Sequence, residues 1–350
     1  MLVKYPLKFR AAVLEEIKKP YVIREIEFTG PLQIGQVMVK LFYSGICGKQ
    51  VEEQDGLLGP DNYLPHLTGH EGSGQVLDIG PGVTKVKPGD LVVIHWVKGN
   101  GINSATPSYS FQGKKINSGW ASTFNEYSVV SENRVTPLPS DSDPMVAALL
   151  GCMGTTGMGA VINDANVQPY DTVVVYGCGG IGLCAIQAAR MRYPRKLIAV
   201  DVNERSLELA QEFGATDIIN PSNMDTIKAV RDLTGGKGAS KVIVTTGHPK
   251  AVETAINTSA TPSDCVMVGV PAKGTMIPVD MASVVLKRTI RGSQGGSVLP
   301  ERDIPAYYTL HQEGVVKLDK LVSSVFKFEQ INEAMDAMRS GIGGRCVVKF

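Results

Sequence analysis

The strongest constraint on the fold is a strand, a glycine-rich turn and a helix that follow one another between residues 172 and 192. Thr172–Tyr176 is a short β-branched run that ends in Gly177–Gly182, and Leu183–Arg192 then carries apolar residues at helical spacing. Similar runs continue to about residue 270. The predicted strands are Lys196–Asp201, Ile218–Ile219, Lys241–Thr246 and Asp264–Val270, and the helices are Glu204–Phe213, Asp225–Thr234 and Ala251–Ser259. Apolar strands separated by helices predict a parallel sheet covered on both faces.

The glycine-rich turn has the G-x-G-x-x-G spacing of a dinucleotide-binding loop in a doubly wound Rossmann α/β domain. Gly177 allows a tight turn, Gly179 lets the backbone approach a pyrophosphate, and the helix start offers free N–H groups. Asp201 follows Gly182 by 19 residues and can accept both ribose hydroxyls, which favours NAD over NADP. The alternative is a purely structural turn. The loop residues predicted to bind the cofactor are Gly177, Gly179, Gly180, Ile181 and Gly182.

The first 150 residues differ, because they hold short extended runs such as Val37–Tyr43 that are broken by Gly-Pro, Pro-Gly and Asn-Gly turns. After about Arg291 the pattern predicts only one helix, Gln330–Arg339, and a terminal strand, Arg345–Phe350. Such a tail is too small to form its own core, so it is expected to return to the first domain. The predicted domains are a β-rich catalytic domain at 1–153, the Rossmann domain at 154–294, and the returning segment at 295–350.

Composition excludes several classes of protein. The net charge is +1 with no charged block, so neither a nucleic acid nor an anionic membrane is expected as a partner. No stretch approaches the about 18 apolar residues of a spanning helix, and the charged N-terminus lacks the apolar core of a signal peptide. The six scattered cysteines suggest a reducing compartment rather than a disulfide framework. We therefore expect a cytoplasmic protein.

Two cysteines and a histidine form a candidate metal site. His70 follows Cys47 by 23 residues, and Cys152 lies at the junction with the Rossmann half. Each residue alone has an ordinary alternative, since cysteine is often a small core residue and histidine is often buried for packing. Together they make a three-ligand set with an open fourth position, as in catalytic zinc sites. The two thiolates neutralise the Zn²⁺ charge.

With these features on hand, the chain resembles the zinc-dependent medium-chain alcohol dehydrogenases, nearest the liver-type branch. The similarity covers essentially the whole chain. Besides the glycine loop, it rests on Lys8–Glu16, Gly69–Gly74, Pro88–Val93, Ser122–Val130, Gly151–Gly157, Val268–Pro271 and Arg345–Phe350. The resemblance implies a GroES-like fold for the first domain and a homodimer or homotetramer. It also implies hydride transfer between NAD and a small-molecule alcohol, aldehyde or ketone.

The resemblance also implies roles for single residues. Cys47, His70 and Cys152 correspond to the ligands of one catalytic zinc per chain, and Glu71 to an acid beside the metal that is a supporting residue or an occasional ligand. Arg345 corresponds to an arginine that contacts the cofactor pyrophosphate. Thr156 and Val268 are expected on the cofactor side of the site.

The sequence departs from the family in two places. Between Val97 and Gly119 there is no cysteine, so the four-cysteine structural zinc of many relatives is predicted to be absent. Beside the catalytic ligands, Lys49 and Glu52 replace the hydroxyl and histidine of the usual proton relay, and Gln50 replaces a supporting aspartate. Lys49 is then either a desolvated proton carrier, a substrate anchor or a solvent-facing side chain.

The expected substrate pocket is polar. Trp96 falls where relatives have an aromatic pocket wall, His95 precedes it, and Ser118 and Gly119 replace large apolar residues. With Lys49, these residues favour a polyol-like or sugar-like alcohol, although Trp96 could instead belong to the core. Two other functions stay open at this point. One is a zinc-free quinone or enone reductase of the same superfamily, and the other is a non-enzymatic scaffold that kept the fold.

Overall fold

Three β-sheets organise the computed structural model, which describes residues 3–341 and 343–350. The strands are β1 Leu7–Leu14, β2 Val22–Phe28, β3 Gln36–Ile46, β4 His66–Leu67, β5 Glu71–Ile79, β6 Leu91–His95, β7 Tyr109–Phe111, β8 Lys114–Ser118, β9 Tyr127–Ser131, β10 Val135–Leu138, β11 Thr172–Tyr176, β12 Lys196–Val200, β13 Asp217–Ile219, β14 Ala239–Val244, β15 Ser259–Met267, β16 Arg288–Gly292, β17 Val322–Lys327 and β18 Arg345–Lys349. The helices are α1 Gly48–Gln54, α2 Pro144–Leu149, α3 Met153–Gly159, α4 Gly180–Met191, α5 Glu204–Glu212, α6 Thr226–Leu233, α7 Pro249–Thr258, α8 Met281–Val285, α9 Pro300–Gln312 and α10 Ile331–Arg339. Residues 1, 2 and 342, which the predicted domain bounds include, lie outside the described residues.

The parallel sheet has six strands in the order β13-β12-β11-β14-β15-β16, and every neighbouring pair is parallel. Its central strand, β11, is a run of valines that is buried on both faces. Helix α4 consists mainly of small and aliphatic residues, so it packs closely against this strand. The predicted doubly wound α/β fold is therefore confirmed, and each strand and helix expected between residues 172 and 270 is present, with bounds shifted by a few residues.

The remaining strands form a closed barrel, β1-β2-β7-β8-β4, and a seven-stranded sheet in the order β10-β6-β5-β3-β18-β17, with β9 also paired to β3. The last strand, β18, runs antiparallel to β3, with Cys346 opposite Ile46. The C-terminal end of the chain therefore lies in the same sheet as β3 and β5. None of the helices in the described part of the chain has the length and apolar character that crossing a membrane requires.

The segment after Arg291 contains more helices and strands than the sequence predicts. Besides α10 it contains the 13-residue helix α9 and the strand β17. Two prolines obscure the helical pattern of α9, one at its first turn and Pro305 inside it. Ile304, Tyr307 and Tyr308 are nonetheless buried, and their packing outweighs the cost of the interior proline.

Two carboxylates, those of Glu132 and Glu301, hold the loop region for which the sequence predicts no structural zinc. Glu132 accepts hydrogen bonds from the backbone N–H groups of Thr84 and Lys85, at 2.7 and 2.8 Å, and from that of Ile102, at 2.8 Å. Glu301 likewise accepts a bond from the backbone N–H of residue 100 and pairs with Lys85. Burial alone would raise the pKa of Glu132, but its three backbone donors lower it.

We expect Glu132→Gln to lower the free energy of unfolding at pH 7 by about 1–3 kcal/mol, because an amide nitrogen then faces a backbone donor. The lowered pKa makes this contribution fully present above the unfolded value of about 4.3, and it is lost as the pH falls through the folded value. Urea unfolding at several pH values measures it. The difference in the free energy of unfolding between wild type and Glu132→Gln should become smaller below pH 4. The exposed control Glu25→Gln should differ little from wild type at any pH. A difference between wild type and Glu132→Gln that stays constant with pH would contradict the assignment.

Candidate active site

The main cavity, of about 1080 Å³, lies at the carboxyl ends of the parallel strands. Its wall includes Gly177 after β11, Thr245 after β14, Val268 after β15 and Ser293 after β16. This edge of an open parallel sheet is where ligands bind in doubly wound folds. The volume exceeds the upper range of about 1,000 Å³ for a typical small-molecule pocket, so it has room for more than a small substrate.

The three predicted metal ligands meet at one side of this cavity. Cys47 precedes α1, His70 precedes β5, and Cys152 precedes α3. One ligand atom from each lies within 4.8 Å of the other two. Two sulfurs and one imidazole suit Zn²⁺, and three protein ligands leave a tetrahedral position open toward the cavity. The chemistry of this donor set therefore fits a catalytic zinc.

The charges around these residues favour the thiolate that a metal requires. The pKa of Cys47 is lowered well below its usual value by its hydrogen bond with Cys152 and by the positive charges of Arg345 and His70. Burial alone would lower the pKa of His70, but the Cys47 thiolate raises it. The pKa of Cys152 is raised, chiefly because its thiol donates to Cys47. These shifts favour a negative charge on Cys47 rather than on Cys152.

A buried ion pair lies beside the ligand set. Arg345 Nε is 3.0 Å from Glu71 Oε1, and both side chains are almost wholly inaccessible. The pair is anchored on both sides, because Arg345 Nη1 donates to the carbonyl of Ile46 and Glu71 Oε2 accepts from the backbone N–H of Met153. Glu71 therefore occupies a supporting position here. Arg345 borders the cavity, and its Nη2 is buried with no hydrogen-bond partner among the described residues.

The glycine loop has the shape that the sequence predicts. Gly177 adopts a φ of +87°, in the left-handed region that favours glycine. A Cβ on Gly179 would meet no atom within 4 Å, so the backbone is open to a close ligand at this point. Asp201 Oδ2 accepts from the backbone N–H of Cys178 at 2.5 Å, and Oδ1 accepts from that of Asn203 at 2.8 Å. The remaining lone pairs of this carboxylate border the cavity.

The other cofactor-side residues also border the cavity. Gly180, Ile181 and Gly182 form the first turn of α4, whose N-terminus points its N–H groups toward the space above the loop. Thr156 and Val268 form part of the same wall. The Thr156 hydroxyl is buried without a hydrogen-bond partner in the part of the chain that the structure describes.

Helix α1 carries the residues that replace the usual relay. Lys49 Nζ lies 2.8 Å from Glu52 Oε2, and both residues border the cavity. The Lys49 side chain is 36 % exposed, and the carboxylate of Glu52 supplies its counter-charge. The role of Lys49 as proton carrier, substrate anchor or solvent-facing side chain stays a prediction. Gln50 Nε2 contacts His70 Nδ1, which places the amide where the resemblance predicts a supporting carboxylate.

The structure also corrects the predicted pocket. His95 is buried inside β6, where Nδ1 bonds to the carbonyl of Val97 and Nε2 to the hydroxyl of Thr136, and burial lowers its pKa to about 4. It therefore belongs to the core and does not border the main cavity. Ser118 and Gly119 border a second cavity instead. Trp96 does line the main cavity, as predicted.

Several cavity residues were missed from the sequence. Thr245, Ser293 and Met338 all border the cavity, yet no motif marks them. Thr245 could have been found from its position, because it lies at the carboxyl end of the predicted strand Lys241–Thr246, the edge where ligands bind. Ser293 follows β16, which the sequence did not predict. Met338 lies on α10, which the sequence could not place against this site.

Comparisons with known proteins agree with this arrangement. Residues 33–140 match the model of the alcohol dehydrogenase GroES-like domain, and residues 180–312 match that of zinc-binding dehydrogenases. An S-(hydroxymethyl)glutathione dehydrogenase of Escherichia coli O1:K1 / APEC is 32 % identical over 373 residues, covering 98 % of this chain and 100 % of the relative.

Solved structures are similar over the same extent. An alcohol dehydrogenase zinc-binding domain protein from Burkholderia ambifaria has a TM-score of 0.91 and 30 % identity, covering 98 % of this chain and 99 % of the other. The benzyl alcohol dehydrogenase of Acinetobacter calcoaceticus has a TM-score of 0.89 and 30 % identity, with the same coverage of both chains. The similarity therefore extends over the β-rich part and the parallel sheet together.

Proposed function

The chain belongs to the zinc-dependent medium-chain alcohol dehydrogenase superfamily, and on that premise we propose that it is a zinc enzyme which transfers hydride between NAD and a polar alcohol or the matching aldehyde or ketone. Membership of the family supports NAD-linked oxidoreduction of alcohols. The observation that carries the finer proposal is the meeting of Cys47, His70 and Cys152 with the glycine loop in one cavity.

In the proposed mechanism, Cys47, His70 and Cys152 would hold one zinc per chain. A zinc held by these residues would supply Lewis acidity toward the substrate hydroxyl, and bound NAD would supply the hydride acceptor. The glycine loop and the N-terminus of α4 bind the pyrophosphate, and Asp201 binds the ribose. Lys49 borders the cavity next to Cys47 and donates to Glu52. The ammonium would first give one proton to the Glu52 carboxylate, and the neutral amine would then accept the proton of the substrate hydroxyl.

A polar substrate is proposed because the cavity wall beside Cys47 carries an accessible ion pair. Lys49 and Glu52 both border the cavity, and their side chains are 36 % and 39 % exposed. A second hydroxyl on the substrate could bond to either charged group, which an alkyl chain could not. This favours a polyol-like or sugar-like alcohol over a simple alkyl alcohol.

The first test combines metal analysis with NADH formation over a panel of alcohols. We expect one zinc per chain to remain after extensive dialysis, because two thiolates hold it, and we expect Cys152→Ala to lose both the zinc and the activity. The buried Cys265 lies outside the cavity, so Cys265→Ala is the matched control. Full activity in Cys152→Ala would contradict the proposal and favour a zinc-free reductase, whereas zinc binding without turnover of any alcohol would favour a scaffold.

The second test concerns the choice of cofactor. Asp201 presents a negative charge to the ribose, and Arg205, the cation that could attract a 2′-phosphate, is paired with Glu208 at 2.9 Å. We expect kcat/KM for NAD to exceed that for NADP by on the order of tenfold or more. Asp201→Ser should lower the ratio of kcat/KM for NAD to kcat/KM for NADP. The control Asp225→Asn, at the exposed start of α6, should leave this ratio unchanged. A higher kcat/KM with NADP than with NAD would overturn the role given to Asp201.

The third test concerns Lys49. If Lys49 carries the proton, Lys49→Met should lower kcat by on the order of 10²–10⁴ while zinc stays bound. A loss confined to KM would instead show that Lys49 anchors the substrate. Lys250→Met, on the exposed face of α7, is the control. Unchanged kcat and KM in Lys49→Met would show that the amine serves only its ion pair with Glu52.

The chain is also proposed to form a homo-oligomer through the open edge of the parallel sheet. Strand β16 is the last strand of that sheet, and four apolar side chains beside it, Met281, Val285, Leu286 and Ile290, are exposed. Sedimentation velocity should therefore give at least twice the chain mass of 37.4 kDa. Ile290→Lys should reduce the measured mass toward that of the monomer, whereas Tyr193→Lys, at another exposed position, should leave it unchanged. A wild-type monomer would contradict this proposal.

A further inference from the structure

A second group of possible metal ligands lies apart from the thiolate site. Glu53 comes from α1, Asp61 from the loop that follows it, and His66 from β4, and one ligand atom from each lies within 4.8 Å of the other two. All three border a second cavity of about 700 Å³. None of them belongs to the catalytic set, and no step of the proposed reaction uses them.

The imidazole of His66 is oriented as a metal ligand would be. His66 is 7 % exposed, and its Nδ1 lies 3.1 Å from the carbonyl oxygen of Leu67. A carbonyl only accepts hydrogen bonds, so Nδ1 is the nitrogen that donates to Leu67, and Nε2 faces Asp61 either with a second proton or with the lone pair that a metal would use. Histidines that bind metals are held in this way, with the other ring nitrogen donating to a backbone carbonyl or carboxylate.

Both carboxylates face that second nitrogen. His66 Nε2 lies 2.8 Å from Asp61 Oδ2 and 3.8 Å from Glu53 Oε1. The carboxylate oxygens of Glu53 and Asp61 repel the lone pair of an unprotonated Nε2. A positive charge is therefore favourable in the space between these three atoms. A proton on Nε2 would satisfy Asp61, but 3.8 Å is too long for a hydrogen bond to Glu53. A cation between the three atoms would satisfy both carboxylates and the ring together.

We propose that Glu53, Asp61 and His66 bind a divalent first-row transition ion, with waters from the cavity completing its coordination. Nitrogen and oxygen ligands lie about 2.0–2.2 Å from such an ion, which puts neighbouring ligand atoms roughly 3–4 Å apart. The distances of 2.8 and 3.8 Å to Nε2 require shifts of only a few tenths of an ångström. One imidazole and two carboxylates suit Mn²⁺, Fe²⁺ or Zn²⁺, and without a thiolate the ion should exchange more readily than the catalytic zinc.

The position of the site gives it a consequence for the active site. An ion held there would join α1 to β4, because Glu53 and His66 come from these two elements. Helix α1 begins directly after Cys47, and β4 leads to His70. Occupancy would therefore stabilise the segment that carries two of the proposed zinc ligands, and His70, one of these two, borders both cavities.

Mn²⁺ titration of the zinc-loaded protein tests the proposal, with free Mn²⁺ followed by its electron paramagnetic resonance signal. Wild type should bind one Mn²⁺ per chain while its zinc content stays constant. Asp61→Asn and Glu53→Gln should each bind Mn²⁺ at least about tenfold more weakly, and Glu25→Gln, an exposed carboxylate of β2, should bind it as wild type does. Absence of binding in wild type up to millimolar Mn²⁺, or equal affinity in all four proteins, would overturn the proposal.

Thermal unfolding supplies a second, independent readout. A ligand that binds only the folded protein raises its midpoint, so Mn²⁺ should raise the melting temperature of the zinc-loaded wild type. The variant His66→Gln should show no such rise, and its melting curve without Mn²⁺ shows whether it is folded. A rise in folded His66→Gln as large as in wild type would place the ion elsewhere and contradict the assignment. Neither experiment depends on catalytic activity, so the result is separate from that of the proposed function.

Discussion

The buried pair of Glu71 and Arg345 is the interaction on which the catalytic site most depends. It joins the first residue of β5 to the first residue of β18, which are far apart in the sequence. Removing two charges from water costs several kcal/mol per ion, and the cost is offset only where the geometry is good and further hydrogen bonds are made. Here the carbonyl of Ile46 and the backbone N–H of Met153 supply those bonds, so the pair fixes the backbone beside two of the proposed metal ligands.

The same pair sets the charge around the metal ligands. Arg345 favours the thiolate of Cys47, while the carboxylate of Glu71 alone would oppose it. A site with two thiolates beside an unpaired carboxylate would accumulate negative charge in a buried place, which is unfavourable. The closing strand of the chain is therefore part of the active site and not merely an addition to the sheet. No short sequence motif reveals the role of this strand, because Glu71 and Arg345 are far apart in the sequence.

Local features of the sequence were sufficient for much of the fold. The run of valines in β11 and the glycine loop are short-range signals, and the structure reproduces both. His95 was misplaced because a residue next to Trp96 was expected to share its pocket, whereas neighbours along a strand point to opposite sides. The helix α9 was missed because its prolines lower the local propensity, and only tertiary packing restores it. The group of Glu53, Asp61 and His66 depends on the path of a loop, which the sequence does not specify.

The three residues that replace the usual relay, Lys49, Gln50 and Glu52, together add no net charge beside the proposed zinc site. Gln50 contacts the ring of His70 and accepts a bond from the backbone N–H of Cys47, so it keeps the supporting position without a charge. An amide can present either its oxygen or its nitrogen to the ring by turning over, and in both orientations it adds no negative charge. A carboxylate there would add a third negative charge near the two thiolates. Lys49 and Glu52 cancel each other at 2.8 Å. In the proposed mechanism the acidity of the substrate hydroxyl would therefore rest on the metal, while Lys49 and Glu52 on α1 would move the proton.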